Sequence, residues 1–189
     1  MIRRVLIANR GEIAMRVIRA CRSLGIETVA VYSEADSRSM HVSEADTAVC
    51  IGPAPARRSY LDMSSIVAAA LGTHADAIHP GYGFLAENAE FAELCKTQGV
   101  IFIGPSAQSI REAGDKVAAR ESAARAGVPI VPGSGSAIED HLEARRLAAS
   151  LGVPILLKAR GGGGGRGMRV VEDAASLATA VLEASREAE

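Results

Sequence analysis

The sequence predicts an α/β protein: a doubly wound parallel sheet followed by an incomplete α+β unit. Three observations predict it. Short apolar runs alternate with amphipathic stretches from the first residues onward. Glycines stand where the helical stretches stop, at Gly25, Gly72 and Gly99. The chain is 48% hydrophobic yet only 3% aromatic and has no tryptophan, so its core must be built from Ala, Val, Ile and Leu, the usual filling of buried parallel strands between Ala-rich helices.

Taken in order, Val5 to Ala8 reads as a strand, Glu12 to Leu24 as a helix closed by Gly25, Glu27 to Tyr32 as a second strand and Thr47 to Ile51 as a third. The rhythm continues with a helix from Ser64 to Leu71 closed by Gly72, a short strand at Ala77 to His79, a helix from Asn88 to Gln98 closed by Gly99, and a strand from Val100 to Ile103. Such alternation calls for parallel strands joined by right-handed crossovers. Ser106 to Ala113 and Lys116 to Ala126 then read as two helices, with Gly114 as stop and Asp115 as N-cap between them. Val128 to Ser136 (VPIVPGSGS) carries two prolines and two glycines, and the domain boundary is expected near Val131. Beyond it come a helix from Ile138 to Leu151, apolar strands at Val153 to Leu157 and Met168 to Val171, and a helix from Ala174 to Ala188. Two strands form only a marginal sheet by themselves, which suggests an unfinished unit. The expected organisation is residues 1–114 as an N-terminal domain, 115–130 as a helical linker and 131–189 as part of a second domain.

At 189 residues and a net charge of −1, nothing in the bulk electrostatics asks for a nucleic-acid or membrane-surface partner. The apolar stretch Val5 to Ala8 is too short for a signal peptide or a membrane span, and a cytoplasmic location is expected. Cys21, Cys50 and Cys95 are odd in number and widely spaced, and all three are expected to be buried free thiols. His41, His74, His79 and His141 are scattered without the spacing of a metal site, so no zinc site is expected.

The strongest local feature lies between the last two strands. Residues 158–168 read KARGGGGGRGM, with six glycines in the seven positions from Gly161 to Gly167. A glycine run gives up backbone order, so either it is a flexible tether or something must approach its backbone closely. The flanking strands favour a hairpin flap, whose bare amides would converge on phosphate while Lys158 and Arg166 supply positive charge. It is not the common phosphate loop, because Gly167 is followed by Met168 rather than by Lys-Ser/Thr. Metal ligands must therefore come from elsewhere. In the first part, ligands of a doubly wound sheet sit beyond the carboxyl ends of the strands, where Asn9-Arg10-Gly11, His79 to Phe84 and Gly104-Pro105-Ser106 fall. Tyr82 offers an amphipathic ring there, while His79 and Phe84 serve equally well as a turn that plugs the core. Ile7 to Ala20 has one glycine where a dinucleotide fingerprint needs three, which makes a nicotinamide site a weak reading.

Six segments taken together, Ile7 to Ala20, Val49 to Asp62, His79 to Ala92, Phe102 to Ser106, Gly114 to Lys116 and Lys158 to Met168, resemble the biotin carboxylase family of ATP-grasp enzymes. The resemblance covers essentially the whole chain. It is similar to the biotin carboxylase subunit or domain of acetyl-CoA and propionyl-CoA carboxylases and of pyruvate carboxylase. It implies a Rossmann-like pre-ATP-grasp domain followed by a partial ATP-grasp lid with a Gly-rich flap. It also implies ATP with Mg²⁺ and carrier-bound biotin as ligands: bicarbonate attacks the γ-phosphate to give carboxyphosphate, and the carboxyl group passes to a ring nitrogen of biotin. By the same resemblance, Lys116 and Lys158 reach the nucleotide phosphates, Gly163, Gly164 and Gly165 close over them, Met168 lies near the adenine, and Tyr82 and Gly83 lie near the biotin ring. Without the family, Lys116 reads as a solvated first-turn lysine, and Lys158 either snorkels to water from a strand end or enters the pocket beneath the flap, where it is the best-placed residue. Arg160 departs from the small residue that usually follows the Lys-Ala pair, and Arg16 and Arg19 read as solvated or interfacial.

The family's later ATP-grasp strands, its paired Mg²⁺-binding glutamates, the asparagine and arginine of its bicarbonate site and its catalytic glutamate have no counterpart here. The expectation is a chain with no catalytic residue of its own, inactive alone. It would be part of a longer enzyme or a product completed by a second chain carrying the C-terminal part. The implied partners are that missing part, a biotin carboxyl carrier protein, a carboxyltransferase and, in the full-length form, a second copy as homodimer. The alternative is a non-catalytic oligomerisation or carrier-docking module on the same fold.

Overall fold

The computed structural model describes residues 1–136, 138, 141–158, 167–173 and 175–188, with the backbone alone at 116, 141, 185, 187 and 188. The chain forms two compact units, Met1–Arg111 and Glu112–Glu189.

The first unit is the parallel sheet that the apolar runs predict. Its strands are β1 (Arg4–Ile7), β2 (Glu27–Tyr32), β3 (Thr47–Cys50), β4 (Ala77–His79) and β5 (Ile101–Phe102), in the spatial order β3-β2-β1-β4-β5 and all parallel. Because strand side chains alternate between faces, neighbouring residues of β1 enter different cores. Val5 and Ile7 pack with Ala14, Val17, Ile18 and Cys21 of helix α1 (Gly11–Ser23), and Leu6 joins Ile66 and Ala70 of α3 (Met63–Gly72) and Phe91 and Cys95 of α4 (Ala89–Thr97). That two-sided burial is what makes β1 apolar from Val5 to Ile7. The core is mostly aliphatic, as expected, although its two largest fully buried side chains are aromatic, Tyr60 and Phe91.

The helices start where short polar side chains take up free amides. Asp62 accepts from Ser64 N at 3.1 Å and Ser65 N at 3.2 Å, and Asn88 accepts from Phe91 N at 2.8 Å. Gly25 and Gly99 take left-handed backbone at the helix ends, but Gly72 does not. There the helix runs through the glycine, Thr73 bonds back to Ala69 O, Ala75 N donates to Ala70 O, and His74 adopts the positive φ of 54°. The crossover from β2 to β3 holds a feature that the periodicity did not predict, a 3₁₀ turn at Glu34–Asp36 followed by α2 (Met40–Glu44). Cys21 and Cys95 are buried, but Cys50 is exposed, contrary to the expectation for all three. It ends β3, the edge strand of the sheet, so no neighbouring strand covers that margin.

The second unit contains α5's end, since α5 spans Ala107–Gly114, then α6 (Lys116–Arg125), α7 (His141–Leu151), an antiparallel pair β6 (Ile155–Lys158) and β7 (Met168–Val171), and α8 (Leu177–Ala188). Asp115 caps α6 as predicted, accepting from Val117 N at 2.9 Å and Ala118 N at 3.1 Å. One face of the β6–β7 pair, carrying Ile155, Leu157 and Val171, packs on Ala144 and Ala148 of α7 and on Leu177 and Ala180 of α8. The other face, with Leu156, Lys158, Met168 and Val170, is exposed.

Candidate functional site

The strand order reverses between β1 and β4: the chain winds outward through β2 and β3 on one side and through β5 on the other. At such a switch point the loops beyond the carboxyl ends part and leave a crevice. The two loops there are Asn9-Arg10-Gly11 and His79 to Phe84, both singled out from the sequence. They are joined directly. The buried Asn9 amide donates to Pro80 O at 2.7 Å and Tyr82 O at 3.0 Å, and its Oδ1 accepts from Arg10 N at 2.9 Å. Gly81 has a φ of +66°, and a Cβ there would lie 2.6 Å from Ile13 Cγ2 and 2.7 Å from Asn9 Nδ2, so only glycine fits. Its amide donates to His79 Nδ1 at 3.0 Å, and burial holds the His79 imidazole below its usual range, in the neutral form that accepts this bond. Tyr82 projects outward, 59% exposed, and its hydroxyl donates to Glu12 Oε1 at 2.5 Å, which raises its phenol above the ordinary value. Gly83 follows with a φ of +72° and open space where a side chain would be.

Sequence reasoning missed the support beneath this loop. Phe84 packs against the core, stacked on Tyr60 with centroids 5.1 Å apart and planes 12° from parallel. The Arg10 guanidinium lies 5.5 Å from the Tyr60 ring and 5.7 Å from the Phe84 ring. Asp36 Oδ2 gathers the polar ends: the Tyr60 hydroxyl donates to it at 2.7 Å, Ser33 Oγ at 2.8 Å and Arg10 Nη1 at 3.4 Å. Burial opposes ionisation of Asp36, but these donors outweigh it and hold its carboxyl below the usual range. Burial and the bond to Asp36 push the Tyr60 phenol up to about 12. The signal available in the sequence was Tyr60 inside the segment Val49 to Asp62. Nothing in the sequence tied it to Asp36, which lies on another crossover.

In the second unit, Lys158 and Met168 are the cross-strand partners nearest the glycine run, and both lie on the exposed face of the hairpin. Gly163, Gly164 and Gly165 lie outside the described residues, as do Arg160 and Arg166, and Lys116 is described by its backbone only, in the first turn of α6. Among the described residues no group of three His, Cys, Asp or Glu could hold a metal ion, and no helix is long and apolar enough to cross a membrane. Arg16 and Arg19 are exposed on α1.

Two domain families match the chain in succession: the biotin carboxylase N-terminal domain over residues 1–110 and the ATP binding domain of the carbamoyl-phosphate synthase L chain over residues 115–189. The pair defines a class in which a doubly wound domain leads into an ATP-binding domain. The chain belongs to the biotin carboxylase family. It is 60% identical over 178 residues to a biotin carboxylase of Pseudomonas aeruginosa, covering 94% of this chain and 40% of that protein. Among solved structures, it resembles the biotin carboxylase βγ-ATP complex from Campylobacter jejuni at a TM-score of 0.96 and 47% identity, covering 100% of this chain and 42% of that one. The biotin carboxylase domain dimer of the 2-oxoglutarate carboxylase from Hydrogenobacter thermophilus, in complex with MgADP, ADP and bicarbonate, follows at a TM-score of 0.93 and 52% identity, covering 100% of this chain and 41% of that one. The chain thus spans about two fifths of the length of these relatives.

Proposed function

We propose that this chain supplies the N-terminal domain and the beginning of the ATP-grasp lid of a biotin carboxylase, which carboxylates carrier-bound biotin with bicarbonate and MgATP by way of carboxyphosphate. The observation that carries this reading is the 0.96 TM-score, over the whole chain, to a biotin carboxylase solved with an ATP ligand. Residues 1–114 form the N-terminal domain, 115–130 the helical linker and 131–189 the lid portion.

In this reading Lys158 and Lys116 set ammonium groups against the triphosphate. Such fixed charges stabilise the negative charge that develops on phosphoryl transfer without reorganising. Lys158 is suited to the task because it is exposed at the end of β6, paired across the hairpin with Met168 and next in the chain to the glycine run. Gly163 to Gly165 close over the phosphates with side-chain-free amides, and Met168, across from Lys158, lies against the adenine. Tyr82 and Gly83 present the biotin ring with an exposed phenol and an open backbone. Mg²⁺ bound with ATP neutralises phosphate charge. The described residues offer no carboxylate cluster for it, so no step through the metal is assigned to this chain.

The proposed partners are a polypeptide bearing the C-terminal part of the enzyme, a second copy of the chain in the completed form, a biotin carboxyl carrier protein and a carboxyltransferase, which chooses the acyl acceptor. Alone the chain is inactive. The test mixes it with the C-terminal remainder of a related biotin carboxylase and follows ATP hydrolysis. Bicarbonate-dependent hydrolysis that needs both polypeptides supports the reading, and its absence from a folded, associated pair overturns it.

A further inference from the structure

We propose that Arg10 is a positioning residue for the loop from Pro80 to Phe84, and through it for the biotin ring. The inference rests on the reading above only in naming biotin as what that loop presents. Three observations carry it. Phe84 has a φ of 42°, a left-handed backbone that a bulky residue adopts only when its surroundings impose it. What imposes it is the aromatic stack: Tyr60, fully buried, lies under the Phe84 ring, and the Arg10 guanidinium stands against both rings at 5.5 and 5.7 Å. Arg10 is itself oriented, because Asp36 accepts from its Nη1 while also accepting from Tyr60 and Ser33.

The loop is thereby held from both ends by consecutive residues of the turn after β1. Asn9 fixes the carbonyls of Pro80 and Tyr82, and Arg10 fixes Phe84, so the exposed Tyr82 ring, itself bonded to Glu12 through its hydroxyl, and Gly83 project between two anchors. A planar cation is required for this. A lysine in its place keeps the charge but loses the flat face that lies against two rings.

The experiment compares the 189-residue chain with its Arg10→Met and Arg10→Lys variants. In the chain alone, amide NMR shifts and hydrogen exchange at Gly81, Gly83 and Phe84 are read alongside thermal melting. The expected result for Arg10→Met is displaced shifts and about tenfold faster exchange confined to these loop amides, with the exchange of β1 and β4 unchanged and Arg10→Lys intermediate. Loop amides that stay as in the parent overturn the proposal, and so does a loss of protection spread evenly over the sheet, which marks Arg10 as merely structural. In the pair completed with the C-terminal part, Arg10→Met is expected to raise the KM for free biotin about tenfold, with kcat and the KM for ATP within about twofold. Equal loss in all three parameters overturns it. If the parent pair has no bicarbonate-dependent activity, the proposed function fails while the loop amides still decide the role of Arg10.

Discussion

Asn9 donates through its side-chain amide to the Pro80 carbonyl at 2.7 Å, which makes the turn after β1 and the turn after β4 one structure across the switch point of the sheet. The bond is buried, so Asn9 has no water to turn to if it is broken. It also brings the Asn9 amide against Gly81, where no side chain fits.

Gly81→Ala and Gly83→Ala test close approach against backbone strain. Both residues have a left-handed φ, but only Gly81 is crowded, with Ile13 and Asn9 inside 3 Å of a Cβ. Gly83→Ala is expected to cost about 1 kcal/mol, the strain alone, and Gly81→Ala about 3 kcal/mol, strain plus overpacking. Urea denaturation of the two variants checks the difference, and equal costs would mean that Asn9 and Ile13 yield freely.

Asp36→Asn tests the acid behaviour of the polar cluster. The folded-state carboxyl of Asp36 titrates below its unfolded value, so its contribution is present above that unfolded value and is lost as the pH falls through the folded one. The parent is expected to exceed the variant by about 2 kcal/mol at pH 7, with the gap closing below about pH 4. Stability curves at pH 7 and pH 3 measure it. A gap that persists unchanged at pH 3 would show that the charge of Asp36 is not what matters.

Lys158→Ala is expected to leave stability within about 0.5 kcal/mol, because the side chain is exposed among the described residues. Calorimetric titration with MgATP is the informative measurement. Weak binding by the parent that is abolished in a Lys116→Ala, Lys158→Ala variant marks a phosphate cradle already formed in this chain. Equal binding by parent and variant removes both lysines from the nucleotide site.

The fold was largely legible in advance because its signals are local. Strands buried on both faces are apolar there, so Val5 to Ala8 and the centre of Glu27 to Tyr32 announce themselves within a few residues, and the short run Thr47 to Ile51 does so too although β3 is a half-exposed edge strand. N-caps are equally local, and Asp115 performs the capping that its position suggested. The end of α3 was misplaced at Gly72 because the choice between glycine and His74 as the left-handed residue depends on which carbonyls find donors, and Thr73 supplies one through its hydroxyl. Cys50 was misread because whether β3 is an edge strand is a property of strand order.

The sequence by itself determined the alternation of strands and helices, the aliphatic core, the glycine run beside Lys158, and the loop from His79 to Phe84, since each depends on residues adjacent in the chain. Only the tertiary structure decided that β1 and β4 are neighbours and that, among the described residues, Leu156, Lys158, Met168 and Val170 lie on the exposed face of the β6–β7 hairpin. It alone brought Arg10, Asp36, Tyr60 and Phe84 from four separate connections into one support. The physical reason is that hydrophobic periodicity fixes which face of an element is buried but not which element buries it. Contacts between distant crossovers arise only once the strand order is chosen.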